Sequence, residues 1–345
     1  MRGTKMKKLF WKIKYYFKRL FSMDFSGFKN AIQYAHEKSG RSRIVLFFDM
    51  VWCSFKYTAG YVDYNEFEFY DLNSKQRETF ITLGHSARIA KYYNDPEYLD
   101  IFDDKSIFVK RFSDFVHRDT FDIRESDAQG LEAFVRKHGK VMAKRTTDYV
   151  GRGIEVVDVN ENPELDFETL YVALMDNRQY LIEEFFKQHP KMNELSPTSV
   201  NTLRVITFLD DENIPRILVS VLKSGLGSHV DNIGQGGMYT ILDDSGTVVY
   251  PFIDKNCNQH TKHPITGTDL IGFKVPHYEQ LIASIKEACL VIPQVRYMGW
   301  DVAVGVDGPE IIEGNSSTGP FQVIPSMSDE KVGVKPIYDQ YIKTY

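Results

Sequence analysis

The chain has 345 residues, enough for two or three units with sizeable cores, and its 14% aromatic content excludes a disordered polymer. Cys53, Cys257 and Cys289 lie far apart with no CxxC pairing, which gives no sign of a disulfide framework or thiolate metal site and suits a reducing compartment. The net charge of −5 conceals an asymmetry: residues 1–21 hold eight Lys or Arg and no acid, leaving 34 basic against 47 acidic residues, and so acidic a body excludes general nucleic-acid binding.

No apolar run reaches the ~20 residues of a membrane span. The longest, residues 44–52, is interrupted by Asp49, and no uninterrupted apolar stretch marks a signal peptide. Residues 6–21 have helical periodicity, with Leu9, Phe10, Ile13, Tyr16, Phe17, Leu20 and Phe21 on one side. Lys5, Lys8, Lys12, Lys18 and Arg19 fall on the other. Such a basic helix over residues 1–22 can lie on an anionic membrane, meet a membrane glycosyltransferase, or dock on its own protein, and these readings stay open. Residues 23–104 read as a mostly helical region without evident chemistry. Ser74 is expected to cap a helix running to about Asn94, with Phe80, Leu83, Ala87, Ile89 and Ala90 apolar, broken by Asp95-Pro96. His36 and His85 read as surface or packing residues.

From Asp104 the texture changes, and residues 105–345 read as one further domain. Ser126 is expected to cap a helix over 127–138 that stops at Gly139. Strands at 140–144 and 153–159 flank a loop over 145–152. A helix near 167–175 and strands at 180–185, 202–209 and 216–222 follow. A hairpin over 238–250 turns at Asp243-Asp244-Ser245-Gly246. After a helix over 277–292, strands at 298–306 and 310–313 are joined by Asp307-Gly308. Helices mixed with antiparallel hairpins indicate an α+β fold and not a doubly wound parallel sheet.

Three segments carry candidate chemistry. Gly299-Trp300-Asp301, followed by Glu313-Gly314-Asn315, puts two carboxylates and an amide on adjacent strands. Oxygen donors of this kind suit Mg²⁺, and Glu313 and Asn315, two apart on a strand, point the same way. Lys144, at a strand end before Gly151-Arg152-Gly153, can reach phosphates as a point charge while the glycine loop offers backbone N–H groups. Glu183-Glu184-Phe185-Phe186 combines acids with large apolar groups, as an adenine and ribose require. Singly, each has a plainer explanation: a structural Asp with a strand-end turn, a hairpin turn, an edge strand with solvated acids. Asp231-Asn232 with Gly234-Gln235-Gly236-Gly237 offers donors to an acyl phosphate or a substrate carboxylate, or is a flexible turn. His229, His260 and His263 have no zinc-ligand spacing.

In this order the segments resemble the ATP-grasp superfamily, over about Asp104 to Asn315. More narrowly they resemble its sugar-transfer-associated family from bacterial capsule and surface-polysaccharide genes. That resemblance rests on Asp104-Lys105, Gln188-His189-Pro190, Ser199-Val200-Asn201-Thr202-Leu203-Arg204, Val230-Asp231-Asn232 and the late Asp301, Glu313, Asn315 set. It implies two α+β subdomains clamping ATP. Lys105, Lys144, Gly151, Gly153, Glu183, Glu184 and Phe185 would hold the nucleotide. Asp301, Glu313 and Asn315 would hold one or two Mg²⁺, with Mn²⁺ as a substitute, and Arg204, Lys144 and Asn232 would act in catalysis. The chain departs in carrying Thr146-Thr147-Asp148-Tyr149-Val150 where many such loops are richer in glycine, and in having a helical region where an α/β domain is usual.

The implied activity is an ATP- and Mg²⁺-dependent ligase joining a carboxylate to an amine or hydroxyl through an acyl phosphate, in the cytoplasm or at the inner face of the membrane. A kinase acting on a sugar or other hydroxyl, and a nucleotide-binding partner of a glycosyltransferase complex, are the alternatives.

Overall fold

A computed structural model describes residues 25–147, 153–227 and 231–345. The basic segment 1–22, Gly151 and His229 lie outside the described residues. The first third is helical: α1 (Phe25–Ser39), α2 (Arg43–Lys56), α3 (Tyr61–Glu66), α4 (Leu83–Tyr93) and α5 (Lys105–Arg111), with shorter turns between. The helix expected from Ser74 to Asn94 is two. Asn73, not Ser74, caps a single turn, its side chain accepting from the Lys75 and Gln76 N–H groups. Thr82 then caps α4 by accepting from His85 N–H. Between them, consecutive Phe80 and Ile81 are both fully buried. The chain leaves the helix over residues 80–82, where Thr82 restarts it as the cap of α4.

Two antiparallel sheets follow. The smaller, ordered β1-β4-β2-β3, contains β1 (Thr120–Asp122), β2 (Lys140–Lys144), β3 (Ile154–Asp158) and β4 (Leu181–Glu184). One face is covered by α6 (Ala128–His138) and α7 (Phe167–Asp176) through Leu131, Val135, Ala143, Leu174 and Ile182. Asp127, one residue beyond the expected Ser126, caps α6, and Gly139 ends it at φ +71°. The larger sheet, ordered β11-β10-β5-β6-β7-β8-β9, contains β5 (Thr202–Leu209), β6 (Pro215–Ser224), β7 (Met238–Ile241), β8 (Phe252–Asp254), β9 (Gln259–His260), β10 (Tyr297–Val304) and β11 (Pro309–Asn315).

Both faces of the larger sheet are covered. Leu203, Val205, Leu222, Trp300 and Val302 point to one side, against α5 and α8 (Tyr278–Ala288). Ile206, Val219, Val221 and Tyr297 point to the other, where they share a core with Leu46, Met50, Phe69, Phe80 and Ile89 of the helical region and with Tyr338 and Ile342 near the C-terminus. Residues 185–188 connect the small sheet to the large one, and His189 N–H then bonds Val304 O at the end of β10.

Candidate functional site

The period of two along a strand sorts the chemistry of the large sheet. On β10, Tyr297, Gly299, Asp301 and Ala303 share a face, which is also that of Arg204 on β5 and Lys223 on β6. Register puts Asp301 opposite Arg204 on one side and opposite Glu313 on the other. Gly299, opposite Asn315, leaves room for the Arg204 stem: a Cβ there would stand 2.9 Å from Arg204 Cδ. Trp300 faces the opposite core and donates its indole N–H to Thr207 Oγ1. In the Gly-Trp-Asp run, the glycine thus gives clearance, the tryptophan anchors the strand and the aspartate supplies charge.

Arg204 donates to both Asp301 oxygens, at 2.6 and 2.7 Å, and Lys223 adds a third contact at 3.1 Å. The Asn315 amide donates to Glu313 Oε1 at 3.1 Å and lies 3.4 Å from Asp301 Oδ2. Burial by itself would raise the Asp301 carboxyl, but Arg204 and Lys223 hold it well below the usual carboxylate range. Asp231 accepts from the N–H and hydroxyl of Thr202 at the start of β5; burial would lower the Arg204 pKa, but Asp301, then Glu313 and Asp231, raise it.

A second buried cluster faces the same way. A bulge between Asp301 and Val302 puts both Glu310 and Glu313 on the Asp301 face of β11. Glu310 pairs with the Arg118 guanidinium, which also donates to Glu183 of β4 at 2.8 Å, and Glu183 pairs with Lys144 of β2. Burial would raise Glu183, but Arg118 and Lys144 lower its carboxyl to about 2. Arg118, Glu183 and Glu310 are each under 8% exposed, and Arg118 joins the small sheet to the edge of the large one.

The remaining predicted residues lie around these two clusters. Lys105 opens α5 behind the Asp104 cap, and its N–H bonds Thr146 O in the loop after Lys144. Gly153 has φ +67°, and a Cβ there would meet the Arg145 side chain at 2.7 Å. Phe185 lies under Lys140, 4.8 Å from its Nζ. The Glu184 carboxylate turns away from Lys144 to the outer face, where it comes within 4.8 Å of Asp119 and His138. Lys137 already binds that Asp119 at 2.5 Å, so the group is an ion-pair cluster. Asn232 caps the short turn Ile233–Gln235 by accepting from Gly234 N–H. Lys223, Arg118 and Glu310 were missed in the sequence. The one available signal was a charged residue inside, or next to, an otherwise apolar strand.

The profile of the sugar-transfer associated ATP-grasp family matches residues 85–332. The chain belongs to that family. Among solved structures the ATP-grasp fold is similar to the ligase PsnB complexed with a phosphomimetic variant of minimal precursor, Mg and ADP, at 12% identity and a TM-score of 0.42, over 74% of this chain and 65% of that one. It is similar to D-alanyl-alanine synthetase A from Vibrio cholerae at 10% identity and a TM-score of 0.42, over 72% and 66%. For biotin carboxylase from Campylobacter jejuni the figures are 12%, 0.40, 63% and 41%. The chain therefore spans under two thirds of the length of each of these three chains. No curated protein matches it.

Whether an ATP-grasp metal fits can be tested on the donors. Asp301, Glu313 and Asn315 present only oxygen and amide atoms, without thiolate or imidazole, and the Asn315 amide reaches both carboxylates. Two anionic groups with a neutral oxygen suit a hard divalent cation that keeps part of its water shell. Asp301 is paired with both Arg204 and Lys223. A cation arriving at Asp301 would free these two side chains to meet anionic oxygens, so the residues fit the group.

Proposed function

We propose that this protein is an ATP- and Mg²⁺-dependent ligase that activates a carboxylate as an acyl phosphate and joins it to an amine or a hydroxyl, in the making or modification of cell-surface polysaccharide. Family membership supports use of ATP. The observation that carries the reading is the pairing of Asp301, buried and held ionised, with two cations on one face and with Glu313 and Asn315 beside it.

The substrate carboxylate would attack the γ-phosphorus, breaking its bond to the bridging oxygen of ADP, and the amine or hydroxyl would then displace phosphate. Asp301, Glu313 and Asn315 would hold Mg²⁺, which offsets charge on the phosphate oxygens. Arg204 and Lys223 would neutralise the oxygens of the transferred group once released from Asp301. Lys144, already oriented by Glu183, would bind phosphate, with the loop around Gly153 and Lys105 next to it. Residues 185–188, joining the two sheets, would line the adenine, and Asn232 would orient the acyl group. The enzyme would work in the cytoplasm, with the basic segment 1–22 at the inner membrane face and residues 105–345 as the catalytic domain.

Calorimetric titration with ATP and Mg²⁺ tests the site. Micromolar binding to the wild type should fall at least tenfold in the Asp301→Asn, Glu313→Gln double variant. Unchanged binding would move the metal elsewhere. Products decide the reaction: a ligase releases ADP with inorganic phosphate, whereas phosphate retained on a sugar would make the protein a kinase.

A further inference from the structure

Helix α2 has two apolar faces. Leu46, Met50 and Cys53 point into the core and are at most 3% exposed. On the opposite side Ile44, Phe48, Trp52 and Phe55 recur at four, four and three residues and are 71%, 65%, 57% and 45% exposed. Val45 and Phe47 widen this row. A surface helix normally turns its second face polar, and a helix with two apolar faces needs a second apolar neighbour. Aromatic contact continues the surface onto α1, where Phe28 meets Phe47 edge-on at 5.7 Å. Between the two helices lies an apolar groove of about 670 Å³, lined in part by Phe25, Phe28, Ile44 and Phe47. Single exposed apolar residues are ordinary, but a contiguous row with a groove marks a binding surface.

Charge identifies the partner. Residues 25–56 carry five basic side chains, Lys29, Lys38, Arg41, Arg43 and Lys56, against two acids, in a protein whose net charge is −5. One of those acids, Asp49, is turned inward and bound by Arg77 through both oxygens. The same end of the chain continues into residues 1–24, which hold eight more basic residues and one acid. A row of Ile, Phe and Trp side chains beside a groove that Lys29 and Arg43 also line is the chemistry of an interfacial helix on anionic lipid.

We propose that the outer face of α2, together with Phe25 of α1, docks on an anionic phospholipid surface. This stands apart from the ligase reading, since it uses no residue of the Asp301 site. It also differs from attachment by the basic N-terminal segment alone, because the folded body itself meets the bilayer and Trp52 enters the acyl boundary.

The chain has three tryptophans, Trp11, Trp52 and Trp300, and Trp300 is 2% exposed against 57% for Trp52. In a full-length Trp11→Phe variant, a change of emission on adding lipid therefore reports Trp52. With phosphatidylcholine–phosphatidylglycerol vesicles the emission should shift to the blue, and brominated acyl chains should quench it. Pure phosphatidylcholine should give at least tenfold weaker binding. Ile44→Glu with Phe48→Glu, both on the exposed face, should cut sedimentation with the anionic vesicles at least tenfold while leaving the circular dichroism unchanged. Three results would overturn the proposal: sedimentation without quenching of Trp52, which means attachment by the N-terminal segment only; a Trp52 already blue-shifted without lipid at all concentrations, which means that segment covers α2; or a shift that grows with protein concentration alone, which means a second copy does.

Discussion

Two buried acids, Asp301 and Glu183, stay ionised because each is held by two cations. For Glu183 the folded carboxyl lies at about 2 against 4.5 in a free chain, so its contribution to stability is present above about pH 4.5 and is lost as pH falls toward 2. Glu183→Gln leaves Arg118 and Lys144 buried with one counter-charge fewer, at a cost of about 3 kcal/mol at neutral pH. Urea unfolding at pH 7, 4 and 3 should show the gap between variant and wild type narrowing with acid, since the unfolded wild-type chain then takes up a proton that the folded one does not. A gap that stayed constant would mean that Glu183 contributes shape and not charge. The half-buried Glu66 runs the other way. Burial raises its carboxyl to about 7, although Tyr239 donates to it, so folding is favoured below about pH 4.5 and loses that advantage as pH rises through 7. Glu66→Gln should therefore raise the melting temperature at pH 8 and change it little at pH 5, as scanning calorimetry would show.

At the scale of elements, the longer strands were legible and the short β8 and β9 were not. Residues 202–209 and 140–144 read from Val, Ile, Ala and Thr content as the strands β5 and β2. Helix starts were legible to within one residue at Asp127, where two capping side chains stand together. They were not at Ser74, because Asn73 and Thr82 are both caps and the buried pair Phe80-Ile81 reads the same in a helical window. The Asp301, Glu313 and Asn315 set was visible because a tight turn makes its two strands neighbours. Lys223 was not, since its partner Asp301 lies 78 residues away. Gly314, between two proposed metal ligands, shows what the element demands. A Cβ there would stand 2.7 Å from Phe102 Cδ1 and 3.4 Å from Phe108 Cε2, so the strand sits flush on the aromatic core. Gly314→Ala must push β11 outward, at about 1–3 kcal/mol for overpacking. Because Glu313 and Asn315 move with it, affinity for ATP with Mg²⁺ should fall at least tenfold. Calorimetry at a temperature where the variant remains folded would separate this from instability.

The whole molecule depends on how its two sheets are held. They are covered on their outer faces largely by different cores, and residues 185–188 and Arg118 are two of the links between them. The guanidinium of Arg118 bonds Glu183 on the small sheet and Glu310 with Ile311 O on the large one, while its own backbone N–H donates to Glu310. The contact to Glu310 spans 192 residues, so neither the pairing nor its role could be read from local pattern. One of its atoms, Nε, is buried without a hydrogen-bond partner, so Arg118 is under-satisfied even where it sits. Its place between the sheets suits a role in orientation: it pairs with Glu183, which in turn pairs with Lys144. Arg118→Met keeps much of the volume but strands Glu183 and Glu310 with less positive charge, at about 3–5 kcal/mol. If Arg118 couples the sheets, hydrogen exchange in this variant should quicken together at residues 181–184 and 309–312, while α8 keeps its protection. Loss confined to β4 would mean that Arg118 does not couple the sheets, and that the Lys144 cluster can shift independently of the Asp301 cluster.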